Sequence, residues 1–295
     1  MSDPQLTFDA SALGAWTPQR RFTVTQQHLI SYAKATNDPI PAHRNGDVAS
    51  PVFAIVPVFE TLLEPVMAVV PESLLGQVVH SQQDFRFHRA LRPGDELTVR
   101  GTMLGYAPRR SGTAATAYLE SRDPHGTLVN EQYVTFVVRG FDAGHSAGET
   151  APDHRLPAEL REQPPRAMTT QQVDKDQTFR YAPAAGDHMA IHLDDEVARQ
   201  VGLPGIILHG LCTMAFSSWA ALTELADSDV RRLRRLAVRF SAPVLPGQQL
   251  HTRFWDASGD GEHPRYAFET NTNNGDTTVL KDGLAEFDTD THTPT

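Results

Sequence analysis

Asp187 and His192, five positions apart, are the pair in this 295-residue chain whose types and spacing suit proton transfer. A carboxylate and an imidazole on one irregular loop can converge on a single water molecule, one accepting its proton and the other holding or returning one. They stand in Tyr181-Ala-Pro-Ala-Ala-Gly186-Asp187-His188-Met189-Ala190-Ile191-His192-Leu-Asp194, where Gly186 lets the backbone turn tightly ahead of Asp187. Downstream, Gly202-Leu-Pro-Gly205-Ile-Ile-Leu208-His209-Gly210-Leu211 leads into an apolar run. If a helix starts there, its free N–H groups and the positive end of its dipole would face an oxyanion developing near Gly210.

The elements that must position these residues are readable from periodicity. From Gly210, the residues Leu211, Met214, Ala215, Ser218, Trp219, Leu222 and Leu225 recur at i, i+3, i+4, the stripe of a helix lying against a sheet. Asp194 is placed to cap a short helix with Asp195 and Glu196 in its first turn and Gly202 past its end. Thr25 is placed to cap another in which Leu29, Ile30 and Ala33 share a face. Strand-like runs follow the helices: Thr98–Met103, Ala114–Ser121 and Gln132–Arg139, then Arg232–Phe240, Gln249–Trp255, Arg265–Thr270 and Thr277–Phe287. Helices grouped before strands predict an α+β architecture, a helix packed on an antiparallel sheet.

The chain also repeats itself. Tyr32, Asp38 and His43 recur as Tyr181, Asp187 and His192 at an offset of 149, and Arg86-Phe87 … Pro93-Gly94 recurs as Arg239-Phe240 … Pro246-Gly247 at 153. The expected organisation is a first unit over 1–141, a polar linker over 142–172, a second unit over 173–287 and a tail over 288–295. The first copy keeps the acid and the imidazole as Asp38 and His43. It puts Pro57, which has no N–H, at the position of Gly210, so a single active site in the second half is expected.

Gly186-Asp187-x-x-x-Ile191-His192-x-Asp194 with the following Gly-Leu-Pro-Gly … His209-Gly210-Leu211 resembles the signature of the MaoC-like, R-specific enoyl-CoA hydratases (hydratase 2). Phe85-Arg-Phe-His88 … Leu91-Arg-Pro93-Gly-Asp95 is similar to the degenerate first copy of double-hotdog members, so the resemblance covers nearly the whole chain. It implies two tandem hotdog units, each a long helix wrapped by an antiparallel sheet. It also implies (3R)-specific hydration of a trans-2-enoyl-CoA, or the reverse dehydration of a (3R)-hydroxyacyl thioester. Asp187 and His192 would be the catalytic pair and the Gly210 amide would bind the thioester oxygen, with no metal or redox cofactor. His209, Met189, Leu208 and Arg239 would contact substrate, an acyl-CoA or an acyl-carrier-protein thioester. The family's Asn-Pro between the acid and the histidine is replaced here by Met189-Ala190, which removes the hydrogen bonds an Asn would give the loop. A hotdog acyl-CoA thioesterase and a catalytically relaxed acyl-thioester binding subunit share the fold and stand as rival readings.

Composition narrows the partners. A formal charge of −10 and a pI near 5.7 lack the basic footprint of a nucleic-acid binder, so a CoA anion needs local arginines, for which Arg231, Arg232, Arg234, Arg235 and Arg239 are the expected set. Cys212 stands alone, so no intrachain disulfide forms, and a reducing, cytoplasmic setting is expected. Met1–Gln5 opens without a secretory pattern, and the most apolar run, Pro51–Phe59, ends at Glu60, well short of the roughly 20 residues a bilayer requires, so no membrane partner is expected. Self-association beyond the fused pair is left open. Three decoys are set aside. Gly144-His-Ser146-Ala-Gly148 has no strand leading in and no helix leading out. His188-x-x-x-His192 lacks a zincin's Glu. Asp256-Ala-Ser-Gly-Asp260-Gly261 has Ala267 where a calcium loop needs Glu.

Overall fold

The computed structural model describes residues 6–259, 263–272 and 276–289. The end of the expected tail, from 290, and the Asp260-Gly261 part of the calcium-loop decoy lie outside them. The strands, in chain order, are β1 (Arg20–Thr23), β2 (Val78–Phe87), β3 (Glu96–Arg109), β4 (Gly112–Arg122), β5 (Leu128–Arg139), β6 (Ala147–Gly148), β7 (Ala167–Gln172), β8 (Leu233–Phe240), β9 (Gln249–Asp256), β10 (Arg265–Thr272) and β11 (Thr277–Phe287). The helices are α1 (Gln26–Ala35), α2 (Pro41–Arg44), α3 (Phe59–Val69), α4 (Ala158–Arg161), α5 (Gln177–Ala185), α6 (Asp195–Gln200) and α7 (Gly210–Leu225).

One antiparallel sheet runs β1-β3-β4-β5-β2-β8-β11-β10-β9-β7, with β6 hydrogen-bonded to β3. The order reads the same from both ends once the duplication is applied, β1 answering to β7 and β2 to β8. The halves join where β2 pairs with β8, from Gln82 opposite Arg239 to Arg86 opposite Arg235. This is the double-hotdog arrangement that the resemblance implies.

Each half folds around its helix. α7 is apolar on nearly every side and is buried from Leu211 to Ser218 and again from Ala220 to Leu222, as a helix inside a curled sheet must be. Its small polar groups find partners there: the Ser217 and Thr270 hydroxyls lie 2.8 Å apart. In the first half a 3-10 stretch over Pro51–Val58 runs directly into α3. The apolar segment is therefore longer than its sequence limits implied: Pro51–Val69 spans 19 residues at a mean hydropathy of 1.8. It is the central helix of this half, with seven of its first eight residues buried in the core. α1 begins as expected, with the Thr25 hydroxyl accepting from the His28 N–H at 3.2 Å and His28 Nδ1 accepting from the Thr25 N–H at 3.4 Å.

The segment over 142–172 is more than a surface tether. Its end is β7, the edge strand of the second half, and its middle packs against the sheet. His154 Nδ1 donates to the Asp282 carbonyl at 2.6 Å, and the Trp255 indole N–H donates to the Gln163 carbonyl at 3.0 Å. Gly144–Gly148 ends in β6, whose Ala147 and Gly148 face Tyr106 and Gly105, so no strand-to-helix elbow forms at Ser146.

Candidate active site

α5 ends at Gly186, whose φ of +76° is the left-handed turn that a glycine adopts without strain and that swings Asp187 out of the helix. A single 3-10 turn, Ala190–His192, then presents the imidazole. Asp194 closes the loop as the cap of α6, accepting from the Glu196 and Val197 N–H groups at 2.9 and 3.1 Å. The chain returns through Ile207 and Leu208 to His209, the cap position of α7.

These turns bring Asp187, His192 and His209 together, one nitrogen or carboxylate oxygen from each lying within 4.8 Å of the others. The Asp187 carboxylate is half-buried and accepts the Met189 N–H at 3.2 Å. His192 Nδ1 lies 2.9 Å from the Ile207 carbonyl, which can only accept, so the ring proton sits on Nδ1. Nε2 is then left with its lone pair. Burial lowers the pKa of His192, opposed by the Ile207 carbonyl and by Asp187, so the ring is neutral at pH 7. The His209 ring stacks on that of His192 with centroids 3.8 Å apart. Burial first, and the neighbouring His192 ring second, which disfavours a second proton on the stacked pair, push the pKa of His209 down to about 3.

The three side chains are close enough to face one cation, yet His209 uses both ring nitrogens, Nε2 on the Asp187 carbonyl and Nδ1 on the Thr178 hydroxyl. Among the described residues here, that leaves Asp187 and His192 with uncommitted donor atoms, where a catalytic zinc takes three protein ligands.

The remaining expected residues are distributed unevenly. Gly210 is the first residue of α7, so its N–H has no acceptor within the helix. A Cβ there would stand 3.1 Å from the Phe240 ring, so the glycine also admits that ring. Met189 is 56% exposed beside the acid, whereas Leu208 is a core residue whose N–H binds the Val244 carbonyl. Arg239 does not join the group. Its guanidinium is held by Asp153 at 3.3 Å and approached by Asp282 at 3.8 Å, while Phe240, one residue on, is the side chain that reaches Gly210. Side chains alternate along a strand, so Arg239 points to the opposite face of β8 from the site, a correction to the expected substrate contact. Its neighbours are also paired, Arg231 with Asp229, Arg232 with Asp227, Arg234 with Asp288 and Arg235 with Asp84. Thr178, the Ile207 carbonyl and Phe240 belong to the site without having shown in the sequence.

The first copy holds the same acid and imidazole in a closed form. Asp38 Oδ2 accepts from His43 Nδ1 at 2.7 Å and from the Ser50 hydroxyl at 2.6 Å, and Oδ1 accepts from the Ile40 N–H at 2.9 Å. Both side chains are wholly buried, and His43 Nε2 is sealed without a partner among the described residues. Pro57 lies inside the 3-10 stretch that leads into α3, with no N–H to offer an oxyanion.

Fold and site together define a tandem hotdog with one open Asp/His loop beside a helix N-terminus. Family models agree half by half: one described as a MaoC like domain matches residues 157–275, and one described as a FAS1-like dehydratase domain region matches residues 11–129. The chain is 29% identical over 301 residues to 3-hydroxyacyl-thioester dehydratase Y of Mycobacterium tuberculosis, covering 96% of this chain and 99% of that protein. It is 32% identical over 219 residues to the peroxisomal multifunctional enzyme type 2 of Drosophila melanogaster, covering 69% of this chain and 36% of that one. It thus spans about a third of the length of such multifunctional relatives. Among solved structures, the MaoC-like dehydratase from Phytophthora capsici matches in fold with a TM-score of 0.82 at 22% identity, over 95% of this chain and 98% of that one. The second half thus matches a MaoC like domain and the first a FAS1-like dehydratase domain region, in a chain that shares the fold of MaoC-like dehydratases.

Proposed function

We propose that this protein adds water across the double bond of a trans-2-enoyl thioester to give the (3R)-hydroxyacyl thioester, or runs the reverse dehydration. The observation that carries the reading is the state of His192. With Nδ1–H committed to the Ile207 carbonyl and the ring neutral, Nε2 stands as a base beside the Asp187 carboxylate. Water held between the two loses a proton to Nε2 as its oxygen bonds to C3, and a proton returns from the pair to C2. The negative charge that develops on the thioester oxygen meets the Gly210 N–H and the positive end of the α7 dipole.

The pair is self-sufficient for this proton traffic, and we assign it no metal or redox cofactor. The substrate is an acyl-CoA or an acyl-carrier-protein thioester, and no nucleic acid or membrane has a part in the reaction. The lone Cys212 thiol is buried and fits a reducing, cytoplasmic setting. The test is to follow the absorbance of the conjugated thioester over a series of 2-enoyl-CoA chain lengths, with chiral analysis of the product. Absorbance lost to the 3R alcohol supports the reading. Free CoA would make the protein a thioesterase, and no reaction at any length would make it a binding subunit.

A further inference from the structure

Behind the catalytic pair, the main chains that carry Asp187 and His192 are joined by one buried relay. His209 Nε2 lies 3.0 Å from the Asp187 carbonyl oxygen, and His209 Nδ1 lies 3.0 Å from the Thr178 hydroxyl. That hydroxyl lies 2.9 Å from the His192 carbonyl oxygen. A carbonyl only accepts, so Nε2 carries the ring proton and Nδ1 must be the acceptor. The Thr178 hydroxyl is the group that meets Nδ1, and Thr178 is wholly buried in the first turn of α5.

Proton counting shows how tightly the relay depends on that hydroxyl. A neutral imidazole and one hydroxyl hold two protons for three contacts, so the hydroxyl proton is divided between Nδ1 and the His192 carbonyl. An imidazolium would supply the third, but the ring is 1% exposed and stacked on His192, which disfavours the charge. Met189, at a position where the resembled family has Asn, supports the acid with its main-chain N–H alone, and the His209 contact anchors the main chain at Asp187 itself.

We propose that Thr178 is a positioning residue: its hydroxyl fixes the Nε2–H tautomer of His209 and thereby the placement of Asp187 relative to His192. This rests on the reading of Asp187 and His192 as the proton-transfer pair. Thr178→Val keeps the shape and removes the hydroxyl. It is expected to lower kcat on a 2-enoyl-CoA about 10- to 100-fold with KM unchanged, as a small misplacement of reacting groups does. Thr178→Ser restores kcat to within a few-fold. Nitrogen-15 NMR of histidine-labelled wild-type protein is expected to show His209 as the Nε2–H tautomer, with its Nδ1 signal moved in Thr178→Val and unmoved in Thr178→Ser.

Wild-type kcat in Thr178→Val, or equal losses in the Val and Ser variants, overturns the proposal. So does an Nδ1–H tautomer in the wild type, which needs no variant to fold. A wild type that hydrates no enoyl-CoA while showing the Nε2–H tautomer removes the proposed reaction and leaves the relay standing, so the two failures are separable.

Discussion

The hydroxyls of Tyr32 and Tyr181 meet 3.2 Å apart in the buried seam between the halves, and the 149 positions between them are the offset of the duplication itself. Each tyrosine touches its own counterpart, which in a two-fold arrangement happens only on the axis. The sheet repeats the relationship at Asp84 opposite Ala237, a pair separated by the second offset of 153. Off the axis, the Trp219 indole N–H reaches the Thr36 carbonyl at 3.1 Å, tying the second-half helix to the first half.

Removing one hydroxyl of this pair strands the other in the core. Tyr32→Phe or Tyr181→Phe should each cost about 1–3 kcal/mol in unfolding free energy. The double replacement should cost less than the sum, because no polar group is then left alone. Denaturant unfolding of the four proteins in the cycle decides it, and strict additivity would mean that the two hydroxyls do not interact.

Asp38 and Asp187 should separate stability from activity. Asp38 holds three buried donors, so Asp38→Ala leaves His43 and Ser50 unpaired and should lower stability by about 3–5 kcal/mol. Turnover per folded molecule should stay near wild type. Asp187→Asn sits on a half-exposed loop and should fold normally while kcat falls about 100- to 10,000-fold. Unfolding curves beside enoyl-thioester kinetics give both numbers, and equal kinetic losses would place chemistry in the first half as well.

The repeat, the caps and most strands were legible because they rest on local rules: Thr25 and Asp194 cap where expected, and Thr277–Phe287 is a strand over the predicted span. β2 was not among the expected strands. It buries Gln82, Gln83 and Asp84 in a row, with Gln83 Nε2 donating to Gln132 at 3.0 Å and Asp84 accepting from Arg235 at 2.8 Å, and this run of buried polar side chains erases the polar/apolar alternation. β7 is an edge strand of Ala-Met-Thr-Thr-Gln-Gln and reads as linker for the same reason. In the candidate site, the Asp187/His192 pair was legible from its spacing and Gly210 from the helix expected to start there. Thr178 is joined to His209 through space, 31 positions away, and no periodicity records such a contact.

The lowered pKa of His192 sets the acid limb of activity. A base works when neutral, and burial holds this ring neutral below the ordinary histidine value of 6.5. The acid-side fall in kcat/KM should therefore be centred below pH 6.5. A pH profile on a short enoyl-CoA tests this, and a limb above 6.5 would contradict a buried neutral base.

Stability has its own acid limb from His209. Its pKa of about 3 in the fold lies under the 6.5 of an unfolded chain, so the unfolded state binds more protons as pH drops. The neutral ring's contribution is fully present above pH 6.5 and is lost between about 6.5 and 3, at up to about 1.4 kcal/mol per pH unit for one proton. His209→Gln should flatten the dependence over that window, and denaturant unfolding across it is the measurement. An unchanged slope would mean that another group carries the proton.

Gly210 has two reasons to be glycine, and two substitutions tell them apart. A Cβ would stand 3.1 Å from the Phe240 ring, so Gly210→Ala presses on that ring while keeping the N–H. Gly210→Pro places a Cβ at the same point, adds the ring carbons Cγ and Cδ, and deletes the N–H, at the first helical position, where proline is tolerated. If the N–H holds the thioester oxyanion, the proline variant should fall about 100- to 1,000-fold further in kcat than the alanine variant. If the glycine serves packing alone, the two should lose activity together, and the oxyanion donor must then be sought among the next N–H groups of α7.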